Sequence, residues 1–107
     1  MNTNTIEEGK SLAILSYITF IGTIIVFFMN RQKQNPFVSF HIRQMIGLMA
    51  IWLVSDLAFY ASVSLGFLIW IFGVALWIIG IFYAIKGEAK TVPFLGDKFQ
   101  EWFINIK

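Results

Sequence analysis

The chain has 107 residues, 58% of them hydrophobic and only 13% charged, too few polar side chains to cover a water-soluble globule of this size. Its formal charge is +2, from eight basic and six acidic residues, and the basic ones are scattered rather than striped, which argues against a nucleic-acid surface and makes them topology signals. Cysteine is absent, which excludes disulfides and thiolate metal sites.

Residues 1 to 10 are polar and short, and Glu7 and Glu8 with only Lys10 before the first apolar stretch do not make the basic start of a signal peptide, so a retained first span is expected. Ser11 to Met29 carries no charge, and the hydropathy predicts a membrane helix over about 10–29. Within it Ser16, Thr19 and Thr23, with Gly22 beside them, draw a small polar stripe expected to face other helices. Asn30 to Asn35 reads as a hydrophilic loop. Asn35-Pro36 then supplies an N-cap followed by proline at the first helical position.

From Gln44 to Ile85 the run is interrupted only by Asp56. As one helix it would measure roughly 63 Å, about twice the hydrocarbon thickness, so it must fold back, and the small polar cluster Ser62-Val63-Ser64-Leu65-Gly66 marks the turn. This predicts spans over about 37–63 and 66–86. The second begins with aromatic and polar residues, including Phe40, His41, Arg43 and Gln44, as a helix crossing the headgroup layer would. Here the imidazole can hydrogen-bond and the guanidinium can snorkel. Gly66, Gly73, Gly80 and Gly87 repeat every seven residues and predict close helix packing. Trp70 and Trp77 repeat on another face, filling grooves between helices or facing lipid. After the connector containing Pro93, Phe99, Trp102, Phe103 and Ile106 form an apolar stripe over 97–107, too short to span, which predicts an amphipathic interfacial anchor on the membrane surface.

The fold expected is therefore all-α: one polytopic membrane domain over 1–107, with three transmembrane helices and a short C-terminal interfacial helix. With three spans, Lys10 falls on one side and Arg31, Lys33, Arg43, Lys86, Lys90, Lys98 and Lys107 on the other, which predicts the N-terminus outside and the C-terminus in the cytoplasm of a bacterial inner membrane.

Asp56 is the one ionisable residue deep in a span, where a charged aspartate costs about 3 kcal/mol on insertion scales. Tyr17, Ser16 and Thr19 of the first helix reach its depth if that helix spans. The residue is then either a hydrogen-bonded structural carboxyl or part of a polar path. No Ser-His-Asp, HExxH or Cys-His arrangement is present, so neither catalysis nor a metal or cofactor site is expected.

The stretch Asn35-Pro36-Phe37-Val38-Ser39-Phe40-His41-Ile42-Arg43-Gln44, followed by Gly87-Glu88 and by Val92-Pro93-Phe94-Leu95-Gly96-Asp97, resembles a family of small bacterial membrane proteins grouped with the inner-envelope import component of the chloroplast TIC translocon. The resemblance covers nearly the whole chain from Lys10 onward. It implies a helical membrane protein of a protein-conducting assembly and offers no catalytic residues. The plastid members look like four-span proteins, whereas the last helix here is too short to span. The expectation is a non-enzymatic subunit or accessory of a membrane complex, with the lipid bilayer, other membrane proteins or copies of itself as partners and no nucleic acid. The alternatives are an oligomeric channel or transporter using Asp56, and a lipid-responsive regulator working through the terminal helix.

Overall fold

The computed structural model describes residues 1–107 and is all-helical: α1 (Thr3–Ile18), α2 (Phe20–Lys33), α3 (Pro36–Ala61), α4 (Val63–Lys86) and α5 (Gly96–Trp102). Two helices, α3 with 26 residues and α4 with 24, are long and apolar enough to cross a membrane; at 1.5 Å per residue they measure roughly 39 and 36 Å. The expected first span is instead two short helices, so the chain has two candidate spans and not three.

The break is a single residue. Thr19 is extended (φ −147°, ψ 165°), and its side chain accepts from the Gly22 amide at 2.9 Å, capping α2. A β-branched hydroxyl residue suits this place, because extended backbone is its preferred region and its oxygen supplies the cap. The Thr23 hydroxyl donates to the Ser16 carbonyl at 2.6 Å, and the Trp77 indole donates to the Tyr17 carbonyl at 2.7 Å, satisfying two acceptors exposed by the break. Gly22 is required at the fold-back, where a Cβ would lie 2.7 Å from the Leu15 carbonyl oxygen. The stripe of Ser16, Thr19, Gly22 and Thr23 thus closes a hairpin.

Because α2 returns alongside α1, Thr5 near the start of α1 lies beside Asn35 at the start of α3, joined by Asn35 Nδ2 donating to the Thr5 carbonyl at 2.9 Å. Gly87 at the end of α4 packs against Ile6 and Lys10. The N-terminus, the α2–α3 loop, the end of α4 and the C-terminal segment consequently share one end of the molecule. The three-span expectation puts the termini at opposite ends, whereas in the structure they lie at the same end. All eight basic residues gather at that end, and Lys10 is no exception to the charge bias.

The second turn uses the same device. Ser62 alone separates α3 from α4, is extended (φ −160°, ψ 126°) and accepts from the Leu65 amide. The antiparallel pair packs through the glycines of α4: a Cβ at Gly66 would meet the Phe59 ring, one at Gly73 would meet Trp52 and Ile51, and one at Gly80 would meet Tyr17 of α1. Gly87 serves differently, as the left-handed cap of α4 at φ 75°. The seven-residue spacing therefore marks a real seam, split between α3 and the α1–α2 hairpin. Ser55 at the far end donates to the Gly66 carbonyl at 2.8 Å.

Candidate functional site: a polar clamp at the basic end

Asn35 caps α3 as expected, accepting from the Phe37 and Val38 amides at 2.9 and 3.2 Å. The next two turns put His41 and Gln44 on the buried face, three residues apart and opposite Tyr17 of α1. Tyr17 Oη and His41 Nδ1 are 2.6 Å apart, and His41 Nε2 lies 3.0 Å from the Glu88 carbonyl oxygen. A carbonyl only accepts, so Nε2 carries the hydrogen and Nδ1 accepts from the tyrosine hydroxyl. Gln44 Nε2 donates to Tyr17 Oη at 3.0 Å and to the Lys90 carbonyl at 3.3 Å, while its Oε1 accepts from the Val92 amide at 2.9 Å. Each hydrogen-bonding atom of the three side chains has a partner within the protein.

Arg43 leaves the same helix on another face. Its Nε donates to the Ile106 carbonyl at 2.9 Å and its Nη2 to the Ile104 carbonyl at 3.3 Å, with a longer approach of 3.5 Å from Nη1 to Gln100 Oε1. Gln100 in turn donates to the Phe40 carbonyl at 2.8 Å. The motif Phe40, His41, Arg43 and Gln44 is thus one construction: all four residues bind the segment from Glu88 to Ile106. Sequence patterning places them at the start of a span and gives no sign of their common partner, which lies 46 or more residues away.

The same contacts revise the C-terminal helix. α5 is seven residues long and docks on α3, with Phe99 buried against Gly47, where a Cβ would overlap the phenyl ring. Phe103 joins the main core and Ile106 packs beside Val26, Val38 and Ile42. Only Trp102 of the stripe is exposed to act as an interfacial anchor. Beside the clamp, Glu88 bridges Lys86 and Lys90 at 3.2 and 3.0 Å. The Lys90 ammonium, and then Lys86, hold the Glu88 carboxyl below the ordinary carboxylate range, and Glu88 raises Lys90 in return.

Asp56 stands apart from the clamp. It is exposed, five residues before the end of α3, and borders a groove of about 610 Å³ with Tyr17, Thr19, Phe20, Trp52, Trp70, Val74 and Trp77. Ser16 and Thr19 do not bond it: Ser16 donates to the Ala13 carbonyl and Thr19 caps α2. The two tryptophans separate in role, Trp77 binding the hairpin while Trp70 remains part-exposed. Nowhere do three His, Asp or Glu side chains converge as metal ligands would.

Large apolar side chains are exposed along the helices. Ile21, Ile24 and Phe28 on α2, Leu53 and Leu57 on α3, and Leu68 and Ile71 on α4 are all more than half exposed. Buried polar bonds at one end and apolar faces along the helices define a small helical protein associated with a membrane. Residues 8–99 match the magnetosome magnetite crystal formation protein family (MamF/MmsF), and the chain belongs to that family. This corrects the resemblance to the import component of the TIC translocon; the elements that suggested it, the start of α3 and the 87–97 connector, are the two halves of the clamp. No curated protein and no solved structure matches the chain.

Proposed function

We propose that this chain is a non-enzymatic integral protein of the magnetosome membrane, a subunit or accessory of a membrane complex through which magnetite crystal formation is organised. The observation that carries this reading is how its polar groups are used. Tyr17, His41 and Gln44 are spent on holding the C-terminal segment, while the surface offered to a neighbour in the membrane is the apolar face of α2, α3 and α4.

The N-terminus is the place for a tag, because the C-terminus is clamped. Extraction in mild detergent, sizing and mass spectrometry of the co-purifying chains test the proposal: a discrete complex with other membrane proteins is expected, and a chain recovered without partners would contradict it. A second reading, an oligomeric channel or transporter, is favoured only by the position of Asp56 on the groove beside the hairpin tip. It requires pH-dependent flux in reconstituted vesicles that Asp56→Asn abolishes.

A further inference from the structure

The α1–α2 hairpin does not cross the membrane that α3 and α4 cross. Its tip stops where Phe20 meets Trp52, with ring centroids 6.0 Å apart, and where Trp77 reaches the Tyr17 carbonyl. Beyond that level α3 continues through residues 53–61, roughly 14 Å, accompanied by α4 alone. At the basic end four helices stand side by side, in a body 23 Å across in both short directions and 46 Å long. The hairpin lies in hydrocarbon, since Ile21, Ile24 and Phe28 are exposed along α2 and no charge occurs between Lys10 and Arg31. Two additional helices, each about 10 Å wide, add roughly 160 Å² of cross-section in one leaflet and none in the other.

We propose that the chain is a curvature-selective wedge: four helices fill the leaflet at its basic end, two fill the opposite leaflet, and the protein favours a bilayer convex on the basic side. Acyl chains of the thinner leaflet occupy the groove above the hairpin tip, whose lining is mostly apolar, with Ile18, Phe20, Trp52, Trp70 and Val74, and carries Asp56 and Thr19 as its polar members. The C-terminal segment adds to the wide end, because Arg43 and Gln100 hold it against the first turns of α3. With all eight basic residues there, the positive-inside bias turns that end to the cytoplasm, so the favoured membrane bulges toward the cytoplasm. Shape alone carries this preference, as the lipid packing around an inserted body depends on the area it takes in each leaflet.

The wedge rests on the membrane placement proposed above, and the two fail differently. The full chain has no native cysteine, so K107C gives one label site at the wide end and S64C one at the narrow end. Each variant is reconstituted into zwitterionic phospholipid vesicles, either small sonicated ones or large extruded ones, and labelled with a membrane-impermeant thiol reagent. The wedge predicts that the ratio of outward to inward K107C is at least twofold higher in small vesicles, with the complementary fall for S64C. Equal ratios in both sizes, a reversed trend, or both variants moving in the same direction would overturn it. Release of the chain from vesicles by alkaline carbonate would instead remove the membrane placement itself.

Discussion

Replacing Gln44 by leucine isolates what the clamp contributes, because leucine keeps the volume and removes both ends of the amide. The Val92 amide, buried and bonded to Gln44 Oε1 at 2.9 Å, loses its acceptor, the Lys90 carbonyl loses a donor at 3.3 Å and the Tyr17 hydroxyl loses one at 3.0 Å. An orphaned buried donor costs about 1–3 kcal/mol, and the lost Gln44–Tyr17 side-chain bond adds about 0.6 kcal/mol, which together give about 1.6–3.6 kcal/mol. The penalty falls on the docking of residues 88–106 while the α3–α4 pair, held by Ser55 and the glycine seam, is untouched. Local opening should therefore rise by roughly 15- to 400-fold at about 1.4 kcal/mol per decade, with global unfolding in detergent little changed. Trypsin cleavage after Lys90 and Lys98 reports that opening when reclosing is faster than cleavage. Less than a threefold acceleration would refute the claim that the buried network holds the tail.

Gly80→Leu drives a side chain into the Tyr17 ring, which cannot retreat while His41 and Gln44 hold its hydroxyl, so a loss of about 1–3 kcal/mol in detergent unfolding is expected. Thr19→Ala removes the cap of α2, costs about 1 kcal/mol and shifts the break toward continuous helix, measurable as an N-terminus that becomes accessible from both sides of the membrane. Glu88 is held below its ordinary range by Lys90 and Lys86, so its contribution is present at neutral pH and lost as pH falls through that lowered value. Tail proteolysis should accelerate on the acid side in the wild type, and Glu88→Gln should flatten that dependence. Asp56→Asn, on an exposed position without a bonding partner, should leave detergent unfolding unchanged within about 0.5 kcal/mol.

The long helices at 36–61 and 63–86, the two candidate spans, were readable because a run from Gln44 to Ile85 is too long for one crossing and a polar cluster lies at its middle. Asn35-Pro36 identified the start of α3 for the local reason that a cap and a proline need only their neighbours. The break at Thr19 escaped because Ser11 to Met29 has the length of a membrane span, and its interruption uses neither glycine nor proline. Its signal was present as Ser16, Thr19 and Thr23, hydroxyls that read equally as a helix face or as caps of a turn. The partners of Phe40, His41, Arg43 and Gln44 were not legible, since periodicity reports which face a residue occupies and not which distant segment returns to it. For the same reason Phe99, Phe103 and Ile106 read as a surface anchor: an apolar stripe on a short helix has the same pattern whether lipid or protein covers it.

The α1–α2 hairpin is the feature from which the common end of the termini and the gathering of charge follow, and on which the proposed wedge rests. Its most direct measurement is single-cysteine accessibility in intact cells and in opened membranes, comparing T3C with K107C and S64C. The hairpin predicts that T3C and K107C are protected together and S64C labels from the opposite side. Labelling of T3C from the side that S64C faces would show that residues 3–33 cross the membrane, and would contradict the account.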